Sequence, residues 1–133
     1  MPAPASQTYS AAALVAAHTA LRDLIDSHPT LPGLLRIRDV ADVLLAEIPL
    51  ADPCGTIDGA TGRLTLDVDP PPIDSAINAT GTAAYGEYCD GSGVPHLTLP
   101  CQAGDVPVSG KLVMRNTSLI IGGAVELIST TIG

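Results

Sequence analysis

Aromatic side chains are nearly missing from this chain of 133 residues: it has no Phe, no Trp and three Tyr, although 46% of its residues are hydrophobic. Its core must therefore be filled by Leu, Ile, Val and Ala. Aliphatic side chains of this kind pack in flat layers, which suits the faces of β-sheets that stack on one another or on neighbouring subunits. The composition favours a β-rich domain that assembles with others.

Basic residues are also few, because 6 Lys and Arg stand against 14 Asp and Glu and the net charge is −8. A chain of this charge repels phosphate backbones and anionic lipid. We therefore expect neither nucleic acid nor a membrane among its partners. The most apolar N-terminal stretch is interrupted by His18, Arg22 and Asp23, which predicts neither a signal peptide nor a membrane-spanning helix and favours a cytosolic protein.

The chain has three cysteines, Cys54, Cys89 and Cys101. Three thiols cannot all pair with one another, and none stands at a spacing typical of a metal site. A hairpin turn at residues 90–93, with its first residue opposite its last, would place Cys89 opposite Val94 and Cys101 opposite Thr82. Because those positions lie at opposite ends of the ladder, we predict that the thiols are reduced and largely buried.

Residues that could carry chemistry are scattered. The chain has no GxSxG, HExxH or phosphate-binding GxxxxGK[ST] motif, and its three histidines, His18, His28 and His96, do not fall into a pattern that activates a nucleophile. We assign no catalytic, cofactor-binding or metal-binding residue, and expect no cofactor and no small-molecule substrate.

Two acidic segments resemble parts of calcium loops. Asp67, Asp69 and Asp74 surround the three prolines at residues 70–72, but they lack the Gly and terminal Glu of a helix-loop-helix calcium site. The segment at residues 90–93 (DGSG) has the composition of a tight hairpin turn. The favoured interpretation is a solvated acidic loop in the first case and a turn in the second.

The N-terminal part of the chain predicts an arm and then a helix. Residues 1–9 are small, proline-bearing and without apolar periodicity, so we expect an extended contact arm. Over residues 10–27, apolar side chains recur at helical spacing, and Pro29 and the pair at residues 32–33 end the helix. The predicted apolar stripe consists of Leu14, Ala17, Leu21, Leu24 and Ile25; we place Leu21 and Leu24 against the sheet.

Beyond the helix the apolar period changes to two, as in Leu35 and Ile37, which alternate with Arg36 and Arg38. Further strands are predicted within residues 44–48, 64–68, 80–89, 94–99, 106–115 and 124–132. About seven short strands at this spacing predict a mainly β fold, an antiparallel β-sandwich or barrel with one N-terminal amphipathic helix. Residues 10–133 are expected to form a single domain.

The order of these segments is similar to that of a group of small structural proteins from tailed-phage and prophage virions. In that group a helix precedes a Leu-Arg-Ile strand and a Leu-Leu-Ala strand; a Gly-Thr-Ala strand then runs into an Asp-Gly turn, and a double-glycine strand follows. The matching segments here are residues 31–39 (LPGLLRIRD), 44–53 (LLAEIPLADP), 79–88 (ATGTAAYGEY), 90–93 (DGSG) and 112–132.

The resemblance implies a virion structural protein that decorates or cements the outer surface of the head. It implies the major capsid protein as partner, a homo-oligomer, and assembly in the bacterial host cytoplasm. A cement protein adds buried area across joints between capsid subunits, so it needs apolar edges and an arm rather than a cleft. A tail, neck or baseplate component is the alternative, and a small ligand-binding β-sandwich or enzyme is a further one.

Overall fold

The structure is a computed structural model, and it describes residues 9–68, 73–74, 77–108, 110–123, 125–128 and 130–132. Over these residues the chain forms one helix and eleven strands, which confirms the predicted mainly β fold with an N-terminal helix. Residues 1–8 of the predicted arm lie outside the described residues. The elements are α1 (Ala11–Ile25), β1 (Leu34–Arg38), β2 (Leu44–Ile57), β3 (Leu64–Val68), β4 (Ile73–Asp74), β5 (Gly81–Thr82), β6 (Tyr85–Cys89), β7 (Pro95–Ala103), β8 (Leu112–Met114), β9 (Ser118–Leu119), β10 (Val125–Glu126) and β11 (Thr130–Ile132).

Seven of these strands form one sheet in the order β11-β3-β2-β1-β6-β7-β8, which is nearly closed into a barrel. The C-terminal segment helps to close it, because Met114 bridges to Leu127 and the Ile128 N–H donates to the Val113 carbonyl at 3.0 Å. The strands at the two ends of the sheet are therefore both tied to the last residues of the chain.

One pairing in the sheet differs from the predicted antiparallel arrangement. β7 and β8 run parallel, with Cys101 beside Leu112 and Ala103 beside Met114. After β7 the chain folds back and begins β8 beside the last residues of β7. Most of the segment predicted as a strand at residues 106–115 forms this return connection, and only β8 is a strand. The strands predicted at 80–89 and 124–132 are likewise each divided, into β5 and β6 and into β10 and β11.

The predicted alternation along β1 is confirmed. Leu35 and Ile37 are fully buried, whereas Arg36 and Arg38 lie on the outer face of the sheet. The core is mostly aliphatic, but it also contains Tyr88, which the expectation of a purely aliphatic core left out. Its hydroxyl donates to Thr130 Oγ1 at 2.6 Å, so the phenol is buried together with a hydrogen-bond partner.

The helix begins after Ser10, whose Oγ accepts the Ala13 N–H at 3.1 Å as an N-cap. Its buried residues are His18 and Ile25, and Leu21 packs against the core at their side. The prediction that Leu24 and Ala17 belong to the buried stripe is wrong: Leu24 is 50% exposed and Ala17 is exposed.

A polar contact explains this displacement of the buried stripe. His18 Nδ1 lies 2.5 Å from the carbonyl oxygen of Gly62, inside the contact between the helix and the chain before β3. At Gly62 a Cβ would stand 2.4 Å from Leu14 Cβ. The ring can be buried because it has a hydrogen-bond partner, so the inward face of the helix runs through His18, Leu21 and Ile25 and leaves Ala17 and Leu24 outside it.

The hairpin at residues 90–93 forms, but its register differs from the predicted one. The Gly93 N–H donates to the Asp90 carbonyl at 2.9 Å, and Gly93 has a φ of +85°. This residue is an extra, bulged one, so the Asp90 N–H bonds the Val94 carbonyl and Cys89 pairs with Pro95 rather than with Val94.

The three cysteines carry free thiols, as predicted, and Cys54 and Cys89 are buried. Cys101 does not lie opposite Thr82, as the predicted register required, because its N–H donates to the Ala84 carbonyl. Cys101 and Cys89 still lie at opposite ends of the β6–β7 ladder. The conclusion about the thiols therefore holds although the register on which it was based is shifted.

Candidate interaction surface

Of the residues considered as possible sites, the fold brings Asp90 and His96 into contact. Within the described part of the chain, His, Cys, Asp and Glu form no group of three or more that could hold a metal ion. Asp69 lies outside the described residues, and of Asp67 and Asp74 the backbones alone are described, in β3 and β4. None of the described helices is long and apolar enough to cross a membrane.

The histidines serve three local contacts. His18 contacts Gly62, as given above. His28 Nδ1 accepts the N–H groups of Thr30 at 3.1 Å and Leu31 at 2.9 Å, so the neutral ring carries its hydrogen on Nε2. His96 Nε2 lies 3.1 Å from Asp90 Oδ2. Each ring stabilises a different loop or strand.

The structure supports the interpretation of residues 90–93 as a turn. Asp90 Oδ1 accepts the N–H groups of Ser92 at 2.9 Å and Val94 at 3.1 Å. The hydrogen bond from the Val94 backbone, followed by the one from His96, lowers the pKa of the Asp90 carboxyl below its usual value. The carboxylate thus closes the turn.

Charges on the outer face of β2, β1 and β6 balance one another. Arg36 Nε lies 2.8 Å from Glu47 Oε2 across β1 and β2. Arg38 pairs with Glu87 across β1 and β6, and this hydrogen bond raises the pKa of the guanidinium. The face therefore presents two cations and two anions in alternation, which leaves little net charge on this face to attract a partner.

Among the described residues, the most exposed large apolar side chain is Val40, which is 91% exposed in the loop between β1 and β2. Asp39 Oδ1 accepts the N–H groups of Ala41 at 2.8 Å and Val43 at 2.9 Å, so the loop is held from inside. The hydrogen bonds of the loop therefore hold the Val40 side chain in one position, exposed to water.

A second set of contacts holds the far side of the same loop. Asp42 has a φ of +66°, and its Oδ1 accepts the hydroxyl of Tyr85 at 2.6 Å. The Asp42 carbonyl also accepts a hydrogen bond from Arg38 Nη1 at 3.0 Å. The hydrogen bond to Asp42 raises the pKa of Tyr85 to about 12, so the phenol stays a donor over the whole physiological range.

Two further exposed aliphatic residues follow β9. Ile120 and Ile121 are each 63% exposed. The Ile121 N–H donates to Thr80 Oγ1 at 3.0 Å, and the Gly122 N–H donates to the Ile77 carbonyl at 3.2 Å. Gly122 has a φ of +80°, which an L side chain rarely adopts, so the turn is specified by its sequence.

Both loops lie at the same end of the barrel. The segment that holds the isoleucine turn is bonded to the start of β2, since the Asn78 N–H donates to the Leu45 carbonyl at 2.7 Å. At Gly81 a Cβ would stand 2.9 Å from Leu45 Cδ2 and 3.8 Å from Asp39 Oδ2. Val43, in the same loop as Val40, is 47% exposed. We call this end of the barrel the aliphatic end and define it by Val40, Val43, Ile120 and Ile121.

The expected apolar contact elements were sheet edges, whereas the exposed aliphatic residues lie in loops. Two local signals in the sequence mark them: Val40 stands in the turn-forming segment Asp-Val-Ala-Asp, and Ile120 and Ile121 directly precede two glycines. A single exposed apolar residue is ordinary on a protein surface, so it is the grouping of these residues at one end of the barrel that makes this end a candidate interaction surface.

The chain matches no protein-family model, and neither curated proteins nor solved structures give a match. The function is therefore argued from the residues of this chain.

Proposed function

We propose that this protein is a structural protein of a tailed-phage virion, and that it cements the head shell by binding the major capsid protein across joints between subunits. The sequence resemblance supports this role. The observation that carries it is the aliphatic end, where Val40 is 91% exposed on a loop fixed by hydrogen bonds to Asp39 and Asp42.

Fixed aliphatic loops suit this role for a physical reason. A loop that is already ordered loses little conformational entropy when it binds, so most of the free energy of burying Val40, Ile120 and Ile121 remains available for association. A protein that binds the assembled lattice and not the free subunit stabilises the lattice by mass action. A protein of this kind acts by burying surface area against the capsid subunits.

The acidic composition agrees with a place on the outside of the head. A net charge of −8 would be repelled by DNA packed inside the shell. We propose the outer surface as the location, with several copies of the chain on each particle.

The test uses shells that lack this protein and purified protein added back. Full burial of a valine side chain stabilises by about 1.5–3 kcal/mol, so Val40→Ser should weaken binding to the shell by at least about tenfold. Val106→Ser is the matched control, because Val106 is 61% exposed in the loop after β7 and belongs neither to the aliphatic end nor to the turn at residues 90–93. Equal binding by both variants would show that the aliphatic end does not contact the shell.

The same samples test the cementing action. Shells carrying the wild-type protein should rupture at a higher temperature than bare shells, because bound protein stabilises the lattice. The effect should survive chelators and thiol-blocking reagents applied to the folded protein. A rupture temperature unchanged by full occupancy would refute cementing.

A further inference from the structure

A cleft of about 250 Å³ lies where the helix ends and the chain approaches β1. Leu31 and Pro32 provide the exposed apolar part of its wall, the buried Leu50 lies beneath, and Asp26 and Asp52 provide carboxylates. The loop that leads into β1 borders this cleft, whereas the loop that carries Val40 leaves β1 at its other end. The cleft and the aliphatic end are therefore two separate surfaces at opposite ends of one strand.

The walls of the cleft are held in place. Asp26 ends the helix, and its two carboxylate oxygens lie 3.1 and 3.2 Å from the Cys54 amide nitrogen. The loop opposite is fixed by His28 Nδ1, which accepts the N–H groups of Thr30 and Leu31. A ligand therefore meets a preformed site and does not have to order it.

The cleft favours a cation that also has an apolar stem. The C-terminal end of a helix carries partial negative charge, and Asp26 and Asp52 add to it. The methylene groups of a long side chain can pack on Leu31 and Pro32, which are exposed, while its charged head meets the carboxylates. A guanidinium fits best, because its planar set of donors can bond two carboxylates at once.

The same charges disfavour a second copy of this chain as the occupant through its aliphatic end. Val40 is flanked by Asp39 and Asp42, and the chain as a whole has a net charge of −8. Inserting that loop into a cleft that contains Asp26 and Asp52 would bring carboxylates together. The complementary partner is therefore a basic one.

We propose that this cleft binds an arginine side chain presented by the capsid partner, an inference that rests on the proposed function. The aliphatic end and the cleft would then contact different places on the lattice, and one molecule would bridge two of them. Bridging through two linked contacts strengthens attachment beyond either contact alone.

The experiment is a titration of the wild-type protein with N-acetylarginine methylamide, followed by amide chemical shifts in NMR. The matched probe is N-acetylcitrulline methylamide, which has nearly the same shape without the charge. The expected result is that the arginine probe shifts the amides of Thr30, Leu31 and Cys54, leaves those of Val40 and Ile121 unchanged, and binds at least about tenfold more tightly than citrulline.

Two charge variants test whether arginine binding depends on the cleft or only on the net negative charge of the protein. Asp52→Asn removes an exposed carboxylate of the cleft and should weaken arginine binding about fivefold. Asp105→Asn changes the net charge equally at an exposed loop residue outside the cleft lining and should leave binding unchanged. Equal binding of the two probes, or equal loss in the two variants, would overturn the proposal.

Failure here is distinguishable from failure of the proposed function. Protein that cements shells while its cleft ignores the arginine probe overturns the cleft proposal and keeps the function. Protein that binds the probe in the cleft but does not attach to shells overturns the function and the capsid origin of the arginine, and leaves a site for a basic side chain.

Discussion

Truncation of two neighbouring helix residues offers a sharp test of how the helix packs. Ile25 is fully buried, and a Cβ on Gly33 would stand 2.6 Å from its Cγ2, whereas Leu24 is 50% exposed. Replacing a buried Ile by Ala costs about 2–5 kcal/mol, because it removes apolar contacts and leaves a cavity. Substitutions at exposed sites usually change stability by at most about 0.5 kcal/mol, so Leu24→Ala, half exposed, should cost less than about 1 kcal/mol.

The comparison is well matched, since both variants end in Ala and both sites lie in the last turn of α1. Urea titrations with a common m-value give the two free energies of unfolding. We expect Leu21→Ala, whose side chain is partly buried against the core, to fall between them. The packing described here would be refuted if Leu24→Ala destabilised the fold as much as Ile25→Ala.

Three further predictions concern backbone strain, thiol reactivity and acid stability. Gly122→Ala should cost about 1 kcal/mol, because Gly122 has a positive φ but no atom within 4 Å of an added Cβ, while Gly59→Ala, with equal space and no positive φ, should be close to neutral in urea titration. Burial raises the pKa of the Cys54 and Cys101 thiols to about 12, so both should react with a thiol reagent at pH 8 far more slowly in the folded than in the unfolded protein; fast reaction of the folded protein would contradict this. The lowered pKa of Asp90 means that its contribution to stability is complete above its unfolded value near pH 4 and is lost as the pH falls through its folded value. Asp90→Asn should therefore flatten the acid side of the stability curve, and an unchanged curve would refute it.

Much of the fold follows from apolar periodicity. The alternation of Leu35 and Ile37 with Arg36 and Arg38 predicts a half-buried strand, and the structure has it with the predicted faces. Where the periodicity misled, a polar contact or a backbone conformation decided the outcome. His18 is buried because Gly62 offers a carbonyl to its ring, and no apolar count contains that information.

Local sequence patterns also could not predict the register of β6 with β7 or the parallel direction of β8. Gly93 adds a bulged residue to the hairpin, and a second irregularity follows between Tyr88 and Cys89, so that β7 from Leu97 onward pairs two positions away from the predicted register. The parallel pairing of Leu112 with Cys101 depends on where the chain returns after β7, which is a property of the whole barrel. Both features are long-range consequences of single residues or of closure.

The sequence did not predict where the exposed aliphatic residues lie. The aliphatic excess and negative charge indicated an assembling protein, but the expected contact was a sheet edge. In the fold the sheet is nearly closed, and the exposed aliphatic residues Val40, Ile120 and Ile121 sit on loops held by Asp39, Asp42 and Thr80. Only the three-dimensional structure brings those distant loops to one end of the barrel.

A reconstruction of the virion at a resolution that traces this chain would test the proposed function. We expect copies at regular positions on the outer surface of the head, with Val40, Ile120 and Ile121 buried against the major capsid protein. Copies found along the tail alone, or copies on the head with Val40 facing solvent, would contradict it.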